Sequence, residues 1–170
     1  MPRQNSNADI LLFIMRHGEA ESLRVDDKSR QLTDYGRAQA SVSANWLIDN
    51  YCPDRQIDLA LISPYRRARQ TFDMVSLDIS ANKTELCEDI IPEGNPKLAH
   101  DYVDTLFTAT QSRSQPVERM LLVSHMPFVS YFLDEVCVIP SNSLFATASV
   151  AVVRYNVQKQ HGELLAHFQG

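Results

Sequence analysis

Ile10 to Met15 form an unbroken apolar run that ends in Arg16, His17 and Gly18. A run this short, stopped by polar residues and a glycine, predicts a strand buried on both faces, as in parallel sheets. Ile57–Ile62 and Met120–Val123 repeat the pattern, ending in Ser63-Pro64 and Ser124-His125. Helical periods fill the intervals. Thr33 is placed to cap a helix with Asp34 in its first turn. Ala38, Val42 and Trp46, with Leu47, give that helix an apolar face, and it is expected to stop before Cys52-Pro53. Ser63 as cap and Pro64 at the first helical position start the next helix. Its buried face is Ala68, Phe72 and Val75. At 100° per residue, Arg66 then points to solvent, while Arg67 and Arg69 flank the buried face.

Weaker patterns complete the chain. Glu21–Gln31 reads as an exposed loop carrying Arg24, Lys28 and Arg30. Thr84–Ile91 is expected to be a short edge strand, followed by a turn over Pro92–Pro96. Leu98, Tyr102, Leu106 and Phe107 predict a helix over Pro96–Thr110, then a loop at Ser112–Pro116. Pro127 opens a helix that is apolar almost all round (Phe128, Val129, Phe132, Leu133, Val136), so it is expected to be well buried. Ala148–Tyr155 and Glu163–Phe168 read as a closing antiparallel strand pair with a turn near His161-Gly162. The alternation of strand and helix predicts an α/β fold, with a mostly parallel central sheet and an antiparallel C-terminal extension.

Length and composition narrow the classes. The 170 residues fit one domain, with Met1–Asp9 expected to be a flexible polar tail. A net charge of −5 lacks the electrostatic footprint of a nucleic-acid binder. The three cysteines (Cys52, Cys87, Cys137) are odd in number, widely spaced and without a CxxC pair. They predict no disulfide framework or zinc ribbon, and point to buried thiols in a reducing compartment. The apolar run after the tail is too short for a signal-peptide core or a membrane span, so the expected location is the cytoplasm.

The chemistry is concentrated where strands give way to helices. The junctions hold Arg16-His17, Ser63 to Arg67, and Ser124-His125. In a parallel sheet these lie on one edge, where α/β proteins bind ligands. Each residue has a plain structural reading alone: a histidine after a strand, a solvated arginine face, or methionines (Met15, Met126) that pack. Their coincidence predicts a pocket for a compact dianion, with phosphate the obvious choice for forked arginine hydrogen bonds. The adjacent arginines disfavour a metal at His17 and His125. The sequence has no GxxxxGK[ST] loop, no cysteine followed six positions on by arginine, and no GxSxG elbow.

Arg16-His17-Gly18-Glu19-Ala20 resembles the RHG signature of the histidine phosphatase superfamily, the phosphoglycerate-mutase-like group. Leu32–Ala40 is similar to its LTxxGxxQA element, Ser63–Thr71 to SPxxRAxQT, and Ser124–Pro127 to SHxP. The short length and the Arg30-Gln31-Leu32-Thr33 context look like the SixA-type phosphohistidine phosphatases, in which proline is usual where Gln31 stands. The resemblance implies a three-layer α/β/α sandwich, no cofactor and no metal. It implies His17 as nucleophile, Arg16 and Arg67 as a phosphate clamp and His125 as the second pocket histidine. Arg30, Gly18 and Met126 are the further candidates for substrate binding. The general acid is a gap: Glu88 and Glu93 are the candidates, and Glu19 lies beside the nucleophile.

The leading expectation is a metal-independent phosphatase acting through a covalent phosphohistidine on a phosphorylated partner protein, such as a histidine phosphotransfer domain. A phosphatase of small phosphomonoesters and a non-catalytic phosphate-binding module are the other two readings. The short chain, with no evident lid, favours a protein substrate.

Overall fold

Residues 9–22 and 26–170 are described by a computed structural model, so the expected tail, apart from Asp9, and Arg24 lie outside the described residues. Four parallel strands are β1 (Ile10–Arg16), β2 (Gln56–Ile62), β3 (Ser80–Leu86) and β4 (Arg119–Ser124). Two more, β5 (Val150–Asn156) and β6 (His161–Phe168), run antiparallel. The sheet order is β3-β2-β4-β1-β5-β6. The helices are α1 (Asp34–Asn50), α2 (Arg66–Val75), α3 (Pro96–Thr110) and α4 (Phe128–Val136). Short 3-10 turns occupy Asp27–Ser29 and Glu88–Ile90.

The side-chain period of two explains the layers. Leu12 and Ile14 join the core beneath α3 and α4, with Val103, Phe107, Phe128 and Phe132. Leu11, Phe13 and Met15 point the other way, onto Ala40, Leu47, Phe72 and Val75 of α1 and α2. The apolar run is therefore a central strand buried on both faces, and the fold is the expected three-layer sandwich with an antiparallel extension. All three cysteines are buried and free. Among the described residues, no helix is long and apolar enough to cross a membrane.

Several local expectations are corrected. The buried stripe of α1 is Gly36, Ala40, Ser43, Ala44 and Leu47, while Ala38 and Val42 face solvent. The hydrophobic spacing misled because this helix packs close through small residues. Likewise Leu98 is exposed on α3, and Ala99, Val103 and Phe107 are buried. Helix α2 starts at Arg66, not at Pro64, and Ser63 does not cap it. As first residue of the helix, Arg66 is half-buried, leaving Arg69 the more exposed. Strand β3 spans Ser80–Leu86, so the second half of the expected Thr84–Ile91 strand is a 3-10 turn. The hairpin turn falls before His161, which already belongs to β6; Gln160 just ahead of it has a φ of 58°.

A close backbone approach lies beside the sheet edge where the three junctions meet. A Cβ on Gly36 would stand 2.1 Å from the Glu19 carbonyl oxygen, and one on Gly18 would stand 2.4 Å from the Gly36 oxygen. Both are backbone obstacles, which cannot swing aside. Gly36→Ala should therefore lower the urea-measured unfolding free energy by about 1–3 kcal/mol. Val42→Ala, on the exposed face of the same helix, should change it by less than about 0.5 kcal/mol. Equal effects would contradict this packing.

Candidate active site

Register sets the site. Arg16 pairs with Ser124, and Ile62 with Val123, so β1, β2 and β4 end level. The ladder continues one step further: His17 N donates to Ser124 O at 2.9 Å, and Ser63 N to Val123 O at 3.0 Å. His17, Ser63 and His125 thus leave the sheet side by side. Backbone bonds from Ala148 N to His17 O (2.9 Å) and from Gly18 N to Thr71 Oγ1 (3.0 Å) hold the His17-Gly18 peptide units from β5's approach and from α2. Ala148 has a φ of 59°, unusual for a residue with a Cβ, and its carbonyl accepts from Ser43 Oγ at 2.6 Å. That bond is why a serine sits in the buried stripe of α1.

The side chains converge as the three junctions predict. His17 Nδ1 lies 2.7 Å from Gly18 O, so Nδ1 carries the ring proton and Nε2 the lone pair. Arg67 Nε donates to that Nε2 at 3.3 Å. The rings of His17 and His125 are 5.1 Å apart. His125 Nε2 is 2.7 Å from Ser63 Oγ, which also accepts a longer bond from Tyr65 N. A hydroxyl that accepts there is free to donate to His125 Nε2, the arrangement in which the imidazole proton sits on Nδ1. His125 Nδ1 is buried without a partner among the described residues, and so is Arg16 Nε. Arg16 is anchored by its Nη1, which donates to Phe145 O at 2.7 Å. Buried donors left open beside a histidine lone pair are what an anion pocket needs.

Burial is the main force on both histidines. It pushes His17 down to about 3, aided by the charges of Arg67, Arg16 and Arg30 and opposed by the Gly18 carbonyl. His125 is pushed down to about 2 by burial, then by His17 and the same arginines. Both rings are neutral near pH 7. Burial also lowers Arg16 and Arg67, but from so high a starting value that each keeps its charge.

The loop between β1 and α1 holds what the sequence reading missed. Asp27 accepts from Arg67 Nη1 through its carbonyl (2.7 Å), and from Arg67 Nη2 through Oδ2 (3.2 Å). Its Oδ1 takes Arg30 Nε at 2.9 Å, which brings Arg30 to the rim of the site. An acid three positions before an arginine on a single turn was the available signal. Tyr65 was also missed; its ring lies 5.1 Å from the Arg67 guanidinium carbon and packs edge-on to His125 at 5.0 Å.

The other candidates fall as follows. Gly18 supplies the carbonyl that orients His17. Met126 is half-buried against the core, and its sulfur accepts from Ser130 Oγ at 3.1 Å, which is a packing role. Glu88 and Glu93 are exposed, and neither hydrogen-bonds to His17, Arg16, Arg67 or His125. Glu93 is near enough for its charge to help burial raise the Tyr65 hydroxyl. Glu19 Oε2 is engaged by Thr33 Oγ1 at 2.8 Å. Among the described residues, no group of three or more His, Cys, Asp or Glu is arranged to hold a metal.

Comparison with known proteins shows the family. Residues 12–90 match the model of the histidine phosphatase superfamily (branch 1). The phosphohistidine phosphatase SixA homolog of Haemophilus influenzae is 35% identical over 161 residues, covering 92% of this chain and 93% of the relative. Phosphohistidine phosphatase SixA of Escherichia coli is 31% identical over 143 residues, covering 84% and 83%. A solved structure of the protein histidine phosphatase SixA complexed with tungstate superposes with a TM-score of 0.83 at 28% identity, over 94% of this chain and 96% of that one. With relatives this similar along nearly their whole length, the chain belongs to the histidine phosphatase superfamily, among its SixA-type members.

Proposed function

We propose that the protein is a phosphatase that removes the phosphoryl group from phosphohistidine on a partner protein of a phosphotransfer relay, in the cytoplasm. The observation that carries the reading is the buried, neutral His17. Its Nδ1 proton is committed to Gly18 O, and its Nε2 lone pair faces the Arg67 guanidinium. In the first step the bound phosphoryl group takes over the Arg67 Nε–H, and the freed lone pair attacks phosphorus in line. The new N–P bond forms as the substrate's P–N bond breaks, and the departing imidazole takes up a proton. Water then attacks phosphorus, the bond to His17 breaks and inorganic phosphate leaves. Arg16 and Arg67, with Arg30 beside them, balance the charge spread over the equatorial oxygens. His125 adds its Nδ1–H donor, held by Ser63.

A protein substrate suits the site because the segment joining β3 to α3, residues 87–95, is short and carries only a 3-10 turn. A phosphoramidate substrate also suits an arrangement in which neither Glu88 nor Glu93 hydrogen-bonds to His17, Arg16, Arg67 or His125. The P–N bond to imidazole is labile and needs less help than an ester oxygen.

Purified protein in chelator should rapidly clear the label from a phosphohistidine-bearing phosphotransfer domain and cleave para-nitrophenyl phosphate slowly. His17→Ala should do neither. Fast ester cleavage with the phosphoprotein untouched would instead make it a phosphatase of small phosphomonoesters.

Protonation of His17 would remove the attacking lone pair. With its pKa near 3, that loss lies well below neutrality. Accordingly kcat/KM on the phosphoprotein, corrected with a His17→Ala blank and for the phosphoryl group's own ionisation at about pH 6, should show no further acid limb between about pH 8 and pH 5. A decline centred near an ordinary histidine pKa of about 6.5 would contradict the neutral buried nucleophile.

Glu88→Gln and Glu93→Gln, made separately, should each retain phosphohistidine cleavage within about threefold, well short of the hundredfold or more that loss of a general acid costs. A loss of that size in either variant would identify the missing acid.

A further inference from the structure

The Arg67 guanidinium is fixed on three sides. Its Nε meets His17 Nε2, its carbon lies over the Tyr65 ring, and both terminal nitrogens bond Asp27. The residue therefore holds the outer fork, its carbonyl on Nη1 and its carboxylate on Nη2, and leaves the Nε side turned to the nucleophile. The other carboxylate oxygen of Asp27 takes Arg30 Nε, while Arg30 Nη1 donates to Glu21 O at 3.0 Å. One carboxylate thus ties together two cations whose charges both reach His17 and His125. Asp27 is itself set by its neighbour. Asp26 caps the 3-10 turn by accepting from Lys28 N at 3.1 Å, and its carbonyl accepts from Ser29 Oγ at 3.1 Å.

We propose that Asp27 is a positioning residue for the phosphate clamp, holding the outer fork of Arg67 so that its Nε–H faces the phosphoryl site, and tethering Arg30 beside it. The proposal rests on reading the pocket as a phosphate site. It is sharper than charge balance alone. Guanidinium groups recognise oxyanions by fixed planar geometry, so an arginine free to rotate loses much of its value even with its charge intact. The rival view is that the Asp27 carboxylate competes with phosphate for the same N–H groups. Geometry favours positioning, because the Asp27 carboxylate meets Arg67 only at Nη2, beside the carbonyl bond to Nη1, while the side facing His17 is Nε.

The test is a double-mutant cycle with inorganic phosphate as the probe, read by calorimetry and as competitive inhibition. Asp27→Ala should weaken phosphate binding about tenfold in the presence of Arg67, and by less than about twofold in an Arg67→Ala background. Asp27→Asn, which keeps one acceptor, should fall between. On substrate, kcat should drop more than KM rises, because the oriented clamp matters most when charge spreads over the equatorial oxygens. The melting temperature should hold, since the Asp27 side chain is 42% exposed. Tighter phosphate binding in either variant would show a competitor, and unchanged binding would show no role. Equal losses in both Arg67 backgrounds would show a general structural effect. Wild-type protein that binds phosphate but leaves phosphohistidine intact would refute the substrate assignment and not this one.

Discussion

The 2.7 Å hydrogen bond from His17 Nδ1 to the Gly18 carbonyl is the interaction on which the rest of the site depends. It decides which ring nitrogen keeps its lone pair, and so where a phosphoryl group can be taken up. The bond exists only because the Gly18 backbone is held in place. Thr71 accepts from Gly18 N, and Gly36 comes so near that neither glycine has room for a Cβ. Behind His17, the Ser124 carbonyl and Ala148 N close the ladder on both sides. The sheet supplies the position, and the two glycines supply the clearance that lets α1 come close enough to support it.

Electrostatics and burial then act together. Gathering Arg16, Arg30 and Arg67 around two histidines would favour neutral imidazoles even in water, and desolvation adds a larger push in the same direction. The outcome is a cationic pocket with an uncharged nucleophile, a combination suited to a dianion. The acidic balance of the whole chain makes the concentration of arginines at one sheet edge selective. Asp27, drawing on both Arg67 and Arg30, has its own acidity increased by them against the opposing effect of burial.

Much of this was legible in the sequence because the signals were local. An apolar run ending in Arg16-His17 shows a strand and its end, and alternation shows the order of the layers. The convergence of Arg67 with His17 followed from helix phase, even though the helix begins two residues later than its serine cap suggested. That error has a chemical cause: the Ser63 hydroxyl is engaged with His125 in place of the helix end. What could not be read depended on contacts far apart in the chain. The close seat of α1 through Gly36, Ala40 and Ser43 is set by the Glu19 and Ala148 carbonyls, so hydrophobicity alone found Leu47 and wrongly added Ala38 and Val42. Asp27 looked like one more loop acid because nothing near it in sequence reveals an arginine 40 positions away.

The central claim is that the phosphoryl group passes through His17. The most direct measurement is rapid acid-free quenching of the protein with a phosphohistidine-bearing domain, followed by mass spectrometry of the His17 peptide under neutral conditions. The account predicts a peptide heavier by one phosphoryl group, appearing before inorganic phosphate and absent from His17→Ala. Release of phosphate at full rate with an unmodified His17 peptide at every time point would contradict it.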